Sequence, residues 1–151
     1  MNIQPGEIGH IIQLAIAPVF LLTGVGTNML VLTNRLARII DRSRTLEERL
    51  EEPDHAPEKE QAARDELEVL FRRARKINRA IFLSTTCALL ICMVVAALFV
   101  TDALDLRLAS VIAGMFVLAM VSLTGSFVYL LREILLATEF MNQQAKWQRS
   151  G

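Results

Sequence analysis

The chain has 151 residues and balances sixteen Lys and Arg against sixteen Asp and Glu, so its formal net charge is zero. Its apolar fraction is 53% and its mean hydropathy is +0.40. These values exclude a strongly basic nucleic-acid binder. The gathering of the apolar residues into three long blocks excludes an ordinary soluble core.

The blocks cover about residues 8–32, 80–100 and 108–131, and none contains Asp, Glu, Lys or Arg. Each approaches or exceeds the ~20 residues a helix needs to cross ~30 Å of hydrocarbon. The sequence therefore predicts an all-α membrane protein with three transmembrane helices. The first block lacks a basic leader, and its apolar run is longer than a signal peptide uses. It is expected to remain as a permanent span.

Residues 33–79 hold most of the charges, of both signs. The tail before the first block has no Lys or Arg, and the connection TDALDLR has only Arg107. Loop Lys and Arg set orientation. The N-terminus and TDALDLR are then expected outside, with residues 33–79 and the tail 132–151 in the cytoplasm. Within 33–79, Leu36, Ile39, Ser43, Leu46 and Leu50 recur at three-four spacing. So do Ala63, Leu67, Leu70, Ala74, Ile77 and Ile81. Such spacing makes a narrow seam on each helix, as in a coiled coil. Pro53 and Pro57 in EEPDHAPE break the helix between them. Spans one and two thus extend into an antiparallel cytoplasmic hairpin. Glu60 and Arg64, and Glu68 and Arg72, stand four apart in the favourable order.

The first span is unusual. The stretch LAIAPVFLLTGVGTNMLVLTNRLARIIDRSR contains a proline, two glycines, three threonines before Asn34, and Asn28. Pro18 crowds the carbonyl of Leu14 and predicts a bend. Gly24 and Gly26 allow another helix to approach closely. Together they are hinge candidates. Three-four spacing places His10, Gln13, Ala17, Phe20, Gly24, Thr27, Val31, Asn34, Arg38 and Asp41 on one stripe, with Asn28 beside it. Asn34 lies ~200° from Leu36 on a helix turning ~100° per residue. The stripe therefore faces away from span two. Its destinations are span three, another subunit, or lipid, and lipid is costly for His10, Gln13 and Thr27. As a pore, Glu7, His10 and Gln13 would ring the outer mouth and Phe20 would form an apolar constriction. As an interface, the same small and polar residues would pack helices, which is their commoner use.

Span three carries Ser110, Gly114, Leu118, Ser122 and Gly125, a small-residue packing face. Ser84, Thr85 and Thr86 are expected to bond back to helix carbonyls. Arg72, Arg73, Arg75, Lys76 and Arg79 form a basic cluster at the membrane surface, suited to anionic headgroups.

Two stretches, IQLAIAPVFLLTGVGTNMLVLTNRLARIIDRSRTLE and RRARKINRAIFLST, resemble those of a bacterial family of small integral membrane proteins catalogued only as a domain of unknown function. The resemblance covers about residues 3–139. It implies three spans and a bacterial inner-membrane location, and brings no activity or ligand.

No catalytic site, metal or cofactor is expected. Glu7 and His10 make a single E-x-x-H, whereas di-metal bundles use it twice with further carboxylates. Cys87 and Cys92 fall on different faces of one helix. Acids interleave with the basic residues of 33–79, which argues against nucleic acid. The expected partners are the lipid bilayer, further copies of the chain, and a cytoplasmic protein. The functional expectation is a small oligomeric channel with span one lining its path. The alternative is a non-conducting scaffold or regulatory subunit whose hairpin docks a partner.

Overall fold

The computed structural model describes residues 5–51, 57–103 and 108–147. It is built of three long helices, α1 (Pro5–Glu51), α2 (Pro57–Ala103) and α3 (Ala109–Trp147). All three are long and apolar enough to cross a membrane. The chain is thus a multi-pass membrane protein by helix length and composition. The polar connection around Asp54, most of TDALDLR and the last few residues lie outside the described residues.

Helix boundaries follow local chemistry. Pro57 occupies the first position of α2, where its missing N–H costs nothing. Glu58 and Glu60 follow in the first turn, near the positive end of the helix dipole. At the start of α3 the Leu108 carbonyl accepts the N–H groups of Val111 and Ile112, both at 3.0 Å. No proline follows Pro57, so α2 runs unbroken to Ala103.

The helices contribute to two compact units. The first comprises Met1–Leu30 and Phe82–Gly125. Its core is Val25 of α1, Cys87 and Ile91 of α2, and Ala119 and Leu123 of α3. Leu21, Leu22, Ala88 and Leu90 pack around it. Large apolar side chains such as Leu89, Met93, Val117 and Val121 point outward, as lipid solvation permits. Cys87 is buried and Cys92 exposed, and both are free thiols. In lipid, apolar burial gives little driving force, so polar contacts matter more. Here Asn28 Nδ2 donates to the Ser84 hydroxyl at 2.8 Å, joining α1 to α2 in a buried position.

The second unit comprises Val31–Ile81 and Ser126–Gly151. Its core is Leu32, Ile39 and Leu46 of α1 against Leu70, Ile77 and Ala80 of α2. Leu36, Ala63, Leu67, Ala74 and Ile81 complete the seam, and Tyr129 and Leu130 of α3 pack on it. The apolar seam residues expected from spacing, apart from Leu50, are therefore in this core. Arg42 pairs with Glu66, and Arg35 and Arg73 share one carboxylate, so numbers rise on α1 as they fall on α2. The helices run antiparallel. Ser43 interrupts the seam without leaving a bare hydroxyl, because its Oγ donates to the Ile40 carbonyl at 2.9 Å. The Ser126 hydroxyl donates to the Ala80 carbonyl at 2.9 Å, where both residues are fully buried.

The small residues of α3 divide by role. Ser122 is buried, whereas Ser110 and Gly114 are exposed. A Cβ on Gly114 would meet nothing within 4 Å, but one on Gly125 would stand 3.1 Å from Leu83 Cδ1. Gly125→Ile should therefore lower stability by about 2 kcal/mol through overpacking. Gly114→Ala meets no neighbour and should not destabilise the protein, gaining up to about 1 kcal/mol from helix propensity. Thermal unfolding of both variants in one detergent checks this; equal effects would contradict the assigned contact.

Candidate functional site

In the first unit, α1 turns Ala15, Pro18, Val25 and Asn28 inward, with Leu21 and Leu22 half-buried. Those positions repeat at three-four spacing and define the packed face. Gln13, Ala17, Phe20, Gly24 and Thr27 lie on the opposite face, and all are exposed. Phe20 is 74% exposed. Among the described residues, the stripe members of this unit therefore share an exposed helix face. The side chains of Glu7 and His10 lie outside the described residues.

The chemistry of this face is mixed. Thr27 Oγ1 donates to the Thr23 carbonyl at 3.0 Å, so its hydroxyl is satisfied by its own helix. A Cβ on Gly24 or Gly26 would meet nothing within 4 Å. The two glycines therefore serve no close approach within the protomer. Pro18, by contrast, is buried. Asn28, which the spacing places only beside the stripe, carries the buried polar contact to α2. Its partner Ser84 accepts this bond through its hydroxyl oxygen, and Thr86 Oγ1 donates to the Phe82 carbonyl at 2.9 Å.

In the second unit, Val31, Asn34, Arg38 and Asp41 of α1 are exposed. Beside them lies a feature that the sequence reading missed. Glu133 of α3 is 1% exposed. It accepts a hydrogen bond from Arg35 Nη1 of α1 at 2.7 Å. It also accepts from Arg73 of α2, Nη2 at 2.6 Å and Nε at 3.2 Å. One carboxylate thus ties all three helices of this unit. The available signal was an acid in SFVYLLREILLAT, which follows Arg132 and is otherwise surrounded by mostly apolar sequence. An ionised group set in an apolar run needs partners.

The neighbouring charges are arranged around this tie. Arg42 donates from Nε to Glu66 Oε1 at 2.8 Å and from Nη2 to Oε2 at 3.2 Å, a bidentate pair. That hydrogen bond, with the charge of Glu66, raises the Arg42 pKa further above its ordinary value. No protonation state changes, because arginine is already always charged. Among the described residues, Arg38 makes no ion pair. A cleft of about 560 Å³ opens here. Its walls carry these charged groups together with Val31, Ile39 and Leu70.

The basic cluster of α2 separates into distinct roles. Arg73 serves Glu133, and Arg72 Nη2 donates to Glu68 at 2.6 Å, four residues away. Arg64 pairs with Glu60 in the same way at 2.5 Å. Arg75 and Arg79 are exposed, and Lys76 is half-buried.

The sequence profile of the family described as "Protein of unknown function (DUF2721)" matches residues 15–143. No curated protein and no solved structure matches the chain. With most of its length covered, including Ala17 to Thr27 of the outward face of α1 and Glu133, the chain belongs to that family.

Proposed function

We propose that this family member works as a homo-oligomer in a bacterial inner membrane, with the outward face of α1 lining a channel-like path. The single observation that carries the reading is that Gln13, Ala17, Phe20, Gly24 and Thr27 remain exposed after the protomer has packed. A face with a carboxamide and two glycine-type gaps beside it is poor lipid surface. Copies of the same chain are its simplest cover, since closed symmetric assemblies bring identical faces to one axis. Phe20 would then narrow the path. The distribution of Lys and Arg orients the N-terminus outside and the α1–α2 hairpin in the cytoplasm. No catalytic chemistry is assigned to it.

A second reading, a non-conducting scaffold, draws on a specific contact. Thr27 is satisfied by Thr23, so the middle of the face needs no water. The exposed side chains of Ile40 and Phe71, beside Leu36 and Ala74, offer an apolar groove for a protein partner in that case.

Cysteine accessibility separates the two. With Cys87 and Cys92 replaced by Ala, single cysteines at Gln13, Ala17, Phe20, Gly24 and Thr27 are treated in liposomes with a membrane-impermeant thiol reagent. A water-filled path predicts labelling at these positions and not at Val25. Phe20→Ala should then raise ion flux severalfold by widening an apolar constriction. Protection from Ala17 to Thr27, with no flux in either form, would overturn conduction and leave the scaffold.

A further inference from the structure

The cleft of the second unit has the composition of an anion site. Four guanidinium groups line it, from Arg35, Arg38, Arg42 and Arg73, against two carboxylates, from Glu66 and Glu133. Two positive charges are left over. We propose that this cleft binds a phosphate ester.

Each feature of the cleft favours that ligand over a bare counter-ion. Glu133 holds Arg35 and Arg73 in fixed positions from its buried place on α3. Glu66 holds Arg42 by two bonds. Three forks are therefore positioned before a ligand arrives, which reduces the ordering cost of binding. Arg35 uses only Nη1 toward Glu133, and a guanidinium has five N–H donors, so donors remain. Arg38 adds a guanidinium with no ion-pair partner among the described residues. Planar forks suit the tetrahedral oxygens of phosphate. A phosphate ester carries one or two negative charges and cancels the surplus. The cleft, at about 560 Å³, falls within the ~300–1,000 Å³ of ordinary ligand sites and is larger than a bare ion requires. Val31, Ile39 and Leu70 supply apolar wall for the organic part of the ester. The phosphate can come from an anionic lipid headgroup or from a soluble compound. The chemistry of recognition is the same, and it does not depend on whether the protein conducts.

The test uses the full chain in neutral detergent and in phosphatidylcholine nanodiscs. Two probes are compared, phosphatidylglycerol and inorganic phosphate, with binding read by native mass spectrometry and by thermal shift. Arg38→Gln removes an unpaired charge and should weaken binding about fivefold, as expected for a charge-assisted contact in a half-open site. Glu66→Gln removes a competing negative charge while leaving an amide oxygen to accept from Arg42, and should strengthen binding by a similar factor. Arg64→Gln, outside the cleft, should change nothing. Retention of phosphatidylglycerol with this pattern of responses assigns a lipid headgroup. The same pattern with inorganic phosphate alone assigns a soluble ester. Equal responses of Arg38→Gln and Arg64→Gln, or no binding of either probe, would overturn the site.

Discussion

Replacing Glu133 by Gln should destabilise the protein by about 2–3 kcal/mol, the largest loss expected from any single polar substitution in the second unit. The carboxylate is 1% exposed and accepts from Arg35 and from both Arg73 nitrogens that reach it. A carboxamide keeps one oxygen but turns an NH2 donor toward guanidinium donors. That leaves a buried donor unpaired and at least one arginine without its acceptor. Removing one partner of a fully buried pair costs ~3–5 kcal/mol. The cost here is smaller because the side chains of Arg35 and Arg73 are 37% and 28% exposed and can turn to water. Arg35→Gln and Arg73→Gln, taken singly, leave the carboxylate one partner and should cost about half as much. The double variant Glu133→Gln with Arg73→Gln should lose less than the sum of its parts, since both report one contact. Chemical unfolding in a fixed detergent reads each value. A Glu133→Gln protein within about 0.5 kcal/mol of the parent would show that the carboxylate does not hold the three helices.

The difference between Glu133 and the hairpin seam shows what a sequence can carry. Leu36, Ile39, Leu46, Leu67, Leu70, Ala74 and Ile77 were legible because each repeats with its neighbours at three-four spacing, and that rhythm is local. Leu32 and Ala80 join the same core, but they sit at the ends of apolar blocks and read as membrane-facing. Glu133 has no such rhythm. Its partners lie 98 and 60 positions away, and a charge ending an apolar run reads by default as a residue reaching for the interface. Asn28 follows the same logic. Spacing put it beside the stripe, and only the position of Ser84 on α2 makes it a buried contact. For the stripe, phase against Leu36 turns Gln13, Ala17, Phe20, Gly24 and Thr27 away from α2, and all five are exposed. Phase alone could not choose between α3 and an outside surface, because helix packing order is a tertiary property. The packed face of α1 includes Ala15, Pro18, Val25 and Asn28, and the five stripe residues stay exposed beside it.

That exposed face supplies the second large effect. Gly24→Leu should leave the protomer folded and weaken self-association at least tenfold. A side chain at Gly24 meets nothing within 4 Å of its own chain, so it has nothing to displace when the protomer folds. Helix propensity even favours the change, since Leu is the better helix former by up to ~1 kcal/mol. Between copies the situation reverses. A glycine on a membrane helix lets a partner backbone come close, and a branched side chain forces the helices apart. Overpacking a tight contact costs ~1–3 kcal/mol per site, and a symmetric assembly repeats the site in every copy. Met93→Leu on α2 is the control, because Met93 is also exposed but lies outside the stripe. Sedimentation equilibrium at matched protein-to-detergent ratios reads the association, and circular dichroism reads the fold. If Gly24→Leu assembles as the parent does, the stripe is not the contact between copies and no path can be lined by it. If assembly is lost while helicity persists, the face read from Gln13 to Thr27 is an interface. Flux through the intact assembly then decides whether water runs along it.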